Sequence, residues 1–314
     1  MTGSRILALG HYQPSRVVTN DDLAQFVETN DEWIRDRVGI ASRRIAGDET
    51  VADMAAAAAD KALANSGLTA ADIDLVVVAT CTSIDRSPNV ACRVAAKLGI
   101  TAPGAFDLNT ACSGFAYALG TVDHAIRAGA SRNAIVIGAE KLSDFTDWTD
   151  RSTCIIFADG AGAAVVTATA EGEPAGVGPV VWGSVPEKGD AVRIEGWRPY
   201  VKQEGQTVFR WATTELAPLA LQACERAGVA PSELAAFVPH QANTRIIDGI
   251  AKRLGIPNAI IAKDLIESGN TSAASVPLAL SKLVERREVP SGAPVLLFGF
   301  GGGLTYAGQV VRCP

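Results

Sequence analysis

In the stretch DLNTACSGFAYALG (107–120), Cys112 stands between a short strand-like lead-in and a helix-like tail that begins Ser113-Gly114-Phe115. A thiol at a helix start faces unpaired backbone N–H groups and the positive end of the helix dipole, which favours a nucleophilic thiolate. The same small-residue setting suits an inert cysteine buried in a core, and the stretch by itself leaves both readings open. His240 ends an apolar run in FVPHQAN (237–243), where a structural histidine is also at home. Asn270, in ESGNTSAAS (267–275), reads equally as a cap for the small-residue helix that follows. The glycine run GFGGGL (299–304) lacks the Lys-Ser/Thr of a P-loop and the helix of a dinucleotide site. It is either a tight turn or a backbone close enough to a ligand to donate an N–H.

What brings these residues together is an internal repeat. MAAAAADKALANSGLTAADIDLVVV (54–78) and ELAPLALQACERAGVAPSELAAFVP (215–239) share a pattern: an Ala/Leu-rich helix, a glycine stop, an acidic cap and an apolar strand. An offset of 161 aligns Gly67 with Gly228, Val77 with Val238 and Asn109 with Asn270. AAKLGI (95–100) recurs as AKRLGI (251–256), and YAL (117–119) falls opposite LAL (278–280). AIVIGAE and FADGAGAAVV (157–166) correspond to PVLLFGF and GGGLTYAGQVV (301–311), two apolar strands joined by a long excursion in the first half and directly in the second.

The chain therefore divides into duplicated halves, 1–170 with the cysteine and 171–314 with the histidine and asparagine, packed as one unit. Alternating helices and strands predict an α/β architecture with mostly parallel strands. Ligands of such sheets sit near the carboxyl ends of strands. Cys112 and His240 both follow predicted strand ends. The Gly/Pro-dense stretch 170–210 reads as an irregular connection between the halves, and 80–92 as an insertion at the surface or at a subunit contact.

A net charge of −6 argues against nucleic-acid binding. The longest apolar runs are too short to cross a bilayer, and the N-terminus lacks a signal-peptide pattern, so a cytoplasmic location is expected. Six scattered cysteines without C-x-x-C spacing read mostly as buried thiols, and the three histidines form no zinc pattern with them, so no metal is expected.

DEWIRDRVGI (31–40), DLNTACSGF (107–115), GAEKLSDFTDWTDRSTCIIFADGAGA (138–163), HQAN (240–243), GNTSAASVPLAL (269–280) and FGGGLTYAG (300–308) occur in order along the whole chain. In these motifs the sequence resembles the ketoacyl-acyl-carrier-protein synthase III enzymes of the thiolase superfamily. That resemblance implies a five-layered αβαβα fold of two duplicated halves, a homodimer, and no permanently bound cofactor, with acyl-CoA as substrate.

It also implies a triad in which Cys112 accepts the acyl group and His240 and Asn270 bond the thioester oxygen of malonyl-acyl carrier protein. The backbone N–H groups of Cys112 and Gly302 would form the oxyanion hole. Decarboxylation makes the carbanion, so the absence of an obvious carboxylate from these motifs fits the scheme. Trp33 is implied to stack on the CoA adenine, with Arg37 and Arg151 near the nucleotide and Asn243 on the pantetheine arm. Val38 stands where the family commonly has threonine, which removes one polar contact to CoA. Arg245, Lys252 and Arg253, with Arg210, would receive the acidic carrier protein. Ser87, in the loop 83–89, sits where the family's partner subunit closes the acyl pocket.

Two other readings stand beside this one. One is a priming ketosynthase or acyltransferase of a polyketide or other secondary pathway, with the same fold and triad. The other is a catalytically silent acyl-binding partner, which predicts loss of a triad that this sequence retains.

Overall fold

A computed structural model describes residues 3–196 and 200–314. The apolar runs of the first repeat form a five-stranded sheet from β1 (Ser4–Tyr12), β2 (Leu75–Ala79), β3 (Gly104–Leu108), β4 (Asn133–Lys141) and β5 (Asp159–Ala168). Its strand order is β1-β5-β4-β2-β3. The second sheet holds β6 (Val181–Ser184), β7 (Ala236–Pro239), β8 (Ile260–Ile261), β9 (Pro294–Gly301) and β10 (Thr305–Arg312). Its order, β6-β10-β9-β7-β8, is the same order of equivalent strands. The repeat in the sequence is thus a repeat in topology.

Each sheet is mixed rather than mostly parallel. β2 pairs parallel with β3 and β4, as β7 does with β8 and β9. The β4–β5 and β9–β10 pairs are antiparallel, because neither connection carries a helix across the sheet.

Helix α1 (Asp31–Val38) lies beside the second half, while six others build layers. On the outer face of the first sheet are α2 (Val51–Ser66) and α3 (Val90–Leu98). Between the sheets lies α4 (Gly114–Arg127), and on the far face of the second sheet are α5 (Gly205–Ala227) and α6 (Thr244–Leu254). α7 (Ser275–Glu285) joins α4 in the central layer, which completes αβαβα. Strand alternation drives this layering. Val76 and Val78 of β2 face α2 and α3, while Leu75, Val77 and Ala79 face the centre. In β9, Leu296, Phe298 and Phe300 face α5 and α6, while Val295 and Leu297 face the centre.

The stretch 170–210 is more ordered than its composition suggests. It supplies β6 and a two-stranded ribbon, Val192–Arg193 with Lys202–Gln203. α5 begins at Gly205 and continues through Pro218. Proline cannot donate to the carbonyl four residues back. That carbonyl, on Thr214, accepts instead from Arg253 Nη1 of α6 at 3.0 Å.

Candidate active site

Cys112 lies in a single 3₁₀ turn, Ala111–Ser113, that leads into α4. The equivalent turn of the second half, Ser272–Ala274, leads into α7. Ala111 and Ser272, 161 positions apart, take positive φ of 45° and 47°. Asn109 Oδ1 accepts from the Ala111 N–H at 3.2 Å, and Asn270 Oδ1 from the Ser272 N–H at 2.8 Å. The two turns touch, and each is crossed closely by a strand of the opposite half. A Cβ on Gly138 of β4 would collide with the Ala273 carbonyl, and one on Gly299 of β9 would lie 2.8 Å from Ser113 Cα. These glycines are required by close backbone approach. A Cβ on Gly301 would stand 2.8 Å from Cys112 Sγ itself.

The end of β9 also reaches His240. The His240 N–H donates to Phe298 O at 2.8 Å, and the Phe300 ring meets the imidazole edge-on at 5.3 Å. Residues 298–301 therefore hold the histidine and the cysteine from one piece of backbone. His240 Nδ1 is 2.7 Å from Ser275 Oγ, which accepts from the Gln241 N–H at 3.3 Å. With the Ser275 proton directed to Nδ1, the imidazole carries its own hydrogen on Nε2. Asn270 Oδ1 is occupied by the Ser272 N–H, which leaves Nδ2 as its donor.

Burial lowers the His240 pKa to about 3, so the ring is a neutral donor at physiological pH. Burial pushes the Cys112 thiol up to about 11, against the Ser272 hydroxyl and the N–H groups of Gly302 and Cys112, which favour the anion. The helix-start effect anticipated from sequence does not outweigh desolvation, and Cys112 rests as a thiol at physiological pH. Sequence reasoning missed Ser272, Ser275, Cys81 and Glu140 here. Ser272 was reachable, since the offset of 161 pairs it with Ala111. Glu140 lies inside a quoted motif, GAEK, yet is fully buried next to the cavity of Cys112, so a carboxyl is present after all.

The 3-oxoacyl-[acyl-carrier-protein] synthase III family description matches residues 106–186, and its C-terminal part matches residues 224–313. A beta-ketoacyl-[acyl-carrier-protein] synthase III 4 from Streptomyces coelicolor is 64% identical over 313 residues, 99% of either chain. The chain belongs to the synthase III family. Among solved structures, the priming β-ketosynthase of the R1128 polyketide pathway is similar with a TM-score of 0.97 and 42% identity, covering 99% of this chain and 96% of that one. A 3-oxoacyl-(acyl carrier protein) synthase III from Pseudomonas aeruginosa gives 0.95 and 38%, over 99% and 98%. The chain is a condensing acyltransferase of thiolase-type fold.

Two cavities open beside these residues. One, of about 650 Å³, is lined by Trp33, Arg37, Arg210, Asn243, Arg245 and Asn270. The other, of about 360 Å³, is lined by Cys112, Cys81, Ser272 and Gly302, with an apolar wall that includes Leu142, Phe157, Val192, Ile194 and Val201. Asn270 faces the first and Ser272, two residues on, the second. Three of the apolar wall residues come from the stretch expected to be an irregular connection.

Trp33 is flanked by two guanidiniums, Arg37 at 5.4 Å and Arg151 at 4.8 Å from the ring centre. Asn243 caps α6 through Oδ1 and bonds Arg37 O through Nδ2 at 3.0 Å, which ties α1 to α6 at the cavity wall. Arg245 pairs with Asp36 at 2.7 Å, Arg253 serves Thr214, and Lys252 and Arg210 are exposed. Ser87 is exposed and lines neither cavity within one chain. Among the described residues no helix is long and apolar enough to cross a membrane.

Proposed function

We propose that the chain condenses a primer acyl-CoA with malonyl-acyl carrier protein to give 3-oxoacyl-acyl carrier protein and carbon dioxide, the first condensation of fatty-acid synthesis. The observation that carries this reading is the single end of β9, residues 298–301, which bears on both Cys112 and His240. Cys112 attacks the thioester carbonyl, and the backbone N–H groups of Cys112 and Gly302 hold the oxyanion. CoA leaves, and malonyl-acyl carrier protein enters. His240 Nε2–H and Asn270 Nδ2–H bond its thioester oxygen as carbon dioxide departs and enolate charge develops. The carbanion attacks the acyl group, and Cys112 is released. A neutral imidazole suits this task, because it donates a hydrogen bond without transferring a proton.

The larger cavity fits the CoA arm: Trp33 offers a ring face, and Arg37 and Arg151 are cations for the nucleotide and its phosphates. Arg210 and Arg245 line this cavity, and with Lys252 and Arg253 in the last turn of α6 they make up the carrier-protein patch, although Arg245 and Arg253 already have partners within the chain. We place this chemistry in the cytoplasm, in a homodimer built from the halves 1–170 and 171–314. β3 is the open edge of its sheet, with Phe106 38% exposed, and Ile84 in the neighbouring loop is 73% exposed. A partner would bring a second Ser87 loop to the acyl cavity. Phe106→Lys is expected to convert dimer to monomer in light scattering; an unchanged mass would remove this edge as the contact.

Intact-protein mass spectrometry after incubation with a panel of acyl-CoAs tests the nucleophile. Acyl mass on wild type and none on Cys112→Ala is the expected result, and the best-loaded chain identifies the primer. No acylation by any member would favour a silent acyl-binding partner. The polyketide priming reading is favoured by the 0.97 TM-score to the R1128 ketosynthase. It predicts turnover of the loaded primer with a carrier protein of a secondary pathway rather than that of fatty-acid synthesis.

A further inference from the structure

Glu140, near the end of β4, is a fully buried carboxyl that the mechanism above leaves idle. Its hydrogen bonds come from neutral groups on one loop. Thr82 Oγ1 donates to it at 2.5 Å, Thr80 Oγ1 at 3.1 Å and the Cys81 N–H at 3.1 Å. The Cys81 thiol donates to Oε1 at 3.3 Å and lies 3.9 Å from Ser272 Oγ. Ser272 in turn faces Cys112 in the cavity that Cys81 also lines. Cys112, Ser272 and Cys81 thus share one cavity wall, and Cys81 connects that wall by hydrogen bond to Glu140, a carboxyl closed off from solvent.

The titratable groups that face Glu140 are the two thiols, Cys81 from its own loop and Cys112 from the turn before α4. Burial raises the pKa of the carboxyl against the hydrogen bonds of Thr82, Cys81 and Thr80, and raises both thiols as well. Two anions in so small a volume repel, so a proton lost by one member is retained by another.

We infer that Glu140 is the proton partner of Cys112, receiving the thiol proton through Ser272 and Cys81 on acylation and returning it on condensation. In acylation the Cys112 Sγ–acyl bond forms and the acyl–CoA bond breaks. CoA leaves as a thiolate and takes a proton from solvent, while the Cys112 proton rests on Glu140. In condensation the carbon–carbon bond forms, carbon dioxide departs, and the Sγ–acyl bond breaks. The released thiolate then recovers its proton from Glu140. The one proton consumed per cycle is the one CoA takes up. Glu140 acts through Cys81 and Ser272 and does not touch substrate.

This inference rests on Cys112 as the acyl acceptor, and its test separates the two. Single-turnover acylation by acyl-CoA is followed against pH in the full chain, with infrared difference spectra of acylated minus free enzyme. Glu140→Gln should acylate about 100-fold more slowly at neutral pH, the scale of general-base assistance. The deficit should shrink as pH rises and hydroxide takes over. A protonated-carboxyl band should appear when wild type is acylated and be missing in Glu140→Gln. Cys81→Ala, which leaves Glu140 bonded to Thr80, Thr82 and the Cys81 N–H, should reproduce the pH-dependent loss, and Cys81→Ser should restore the rate. A Glu140→Gln enzyme as fast as wild type, a deficit equal at every pH, or no carboxyl band on acylation would overturn the inference. Wild type that accepts no acyl group would instead overturn the reading of Cys112, and this inference with it.

Discussion

Ser275→Ala would leave His240 Nδ1 without its partner and free the imidazole to carry its hydrogen on either nitrogen. Only the Nε2–H form donates to substrate, so decarboxylation of malonyl-acyl carrier protein should slow about tenfold, the worth of roughly one buried hydrogen bond. Acylation of Cys112 should keep its rate; assaying the half-reactions separately checks the split, and an equal loss in both would remove the tautomer argument. Gly301→Ala is expected to act on the other half-reaction, because its Cβ would stand 2.8 Å from Sγ and displace the nucleophile. The expected outcome is slow acylation with folding retained. Cys112 and His240 stood out in sequence as residues after predicted strand ends, and Asn270 as the partner of Asn109 in the repeat, while their grouping as a triad came from the family resemblance. The groups that orient and buffer them did not stand out. Ser275 and Glu140 owe their importance to contacts across 35 and 59 or 60 residues of chain, respectively, and no local pattern encodes that.

Elements were legible where their signals are local. Gly67 and Gly228 end α2 and α5 in the left-handed conformation, as glycine stops should. The start of α5 was obscured by Gly205, and its interior carries Pro218, two residues that oppose helix. What keeps the helix continuous is a side chain from elsewhere, Arg253 on the Thr214 carbonyl. Arg253→Ala should therefore cost about 1 kcal/mol, measured by urea unfolding. Pro218→Ala, which restores an N–H for that carbonyl, should cancel most of the loss in the double variant. If the two substitutions simply add, Arg253 belongs to the carrier-protein patch alone. The ribbon at 192–203 was hidden for the same reason: two-residue strands carry no period.

For the molecule as a whole, the buried histidines set an acid limit. Burial lowers His240 to about 3 and His11 to about 4 from an ordinary 6.5. The unfolded chain takes up these protons as pH drops below 6.5, and the folded chain only near 3 to 4. Their contribution to stability is thus complete above 6.5 and is lost as pH falls through the folded values. Buried Glu140 and Asp159, with pKa values raised by desolvation, act in the opposite sense. The melting temperature is expected to fall between pH 6.5 and 4, and His11→Gln to flatten that slope; an equally steep slope in the variant would assign acid sensitivity to the paired carboxylates. The two α/β halves were legible from the duplication and the five-layer order came from the family resemblance, whereas the mixed strand directions depended on how tightly consecutive strands are joined.

The paired turns at Ala111–Ser113 and Ser272–Ala274 have one more implication. In two identical chains meeting on a twofold axis, any change to one turn is made in both, and nucleophile and electrophilic donors must share one sequence. Fusing the copies into one chain removes that constraint. One turn keeps a thiol at Cys112, while the other places Ala273 at the matching position and leaves its asparagine, Asn270, free to face a different substrate. Under the proposed function, the division of labour between the two half-reactions follows from the loss of symmetry between two backbones that still match.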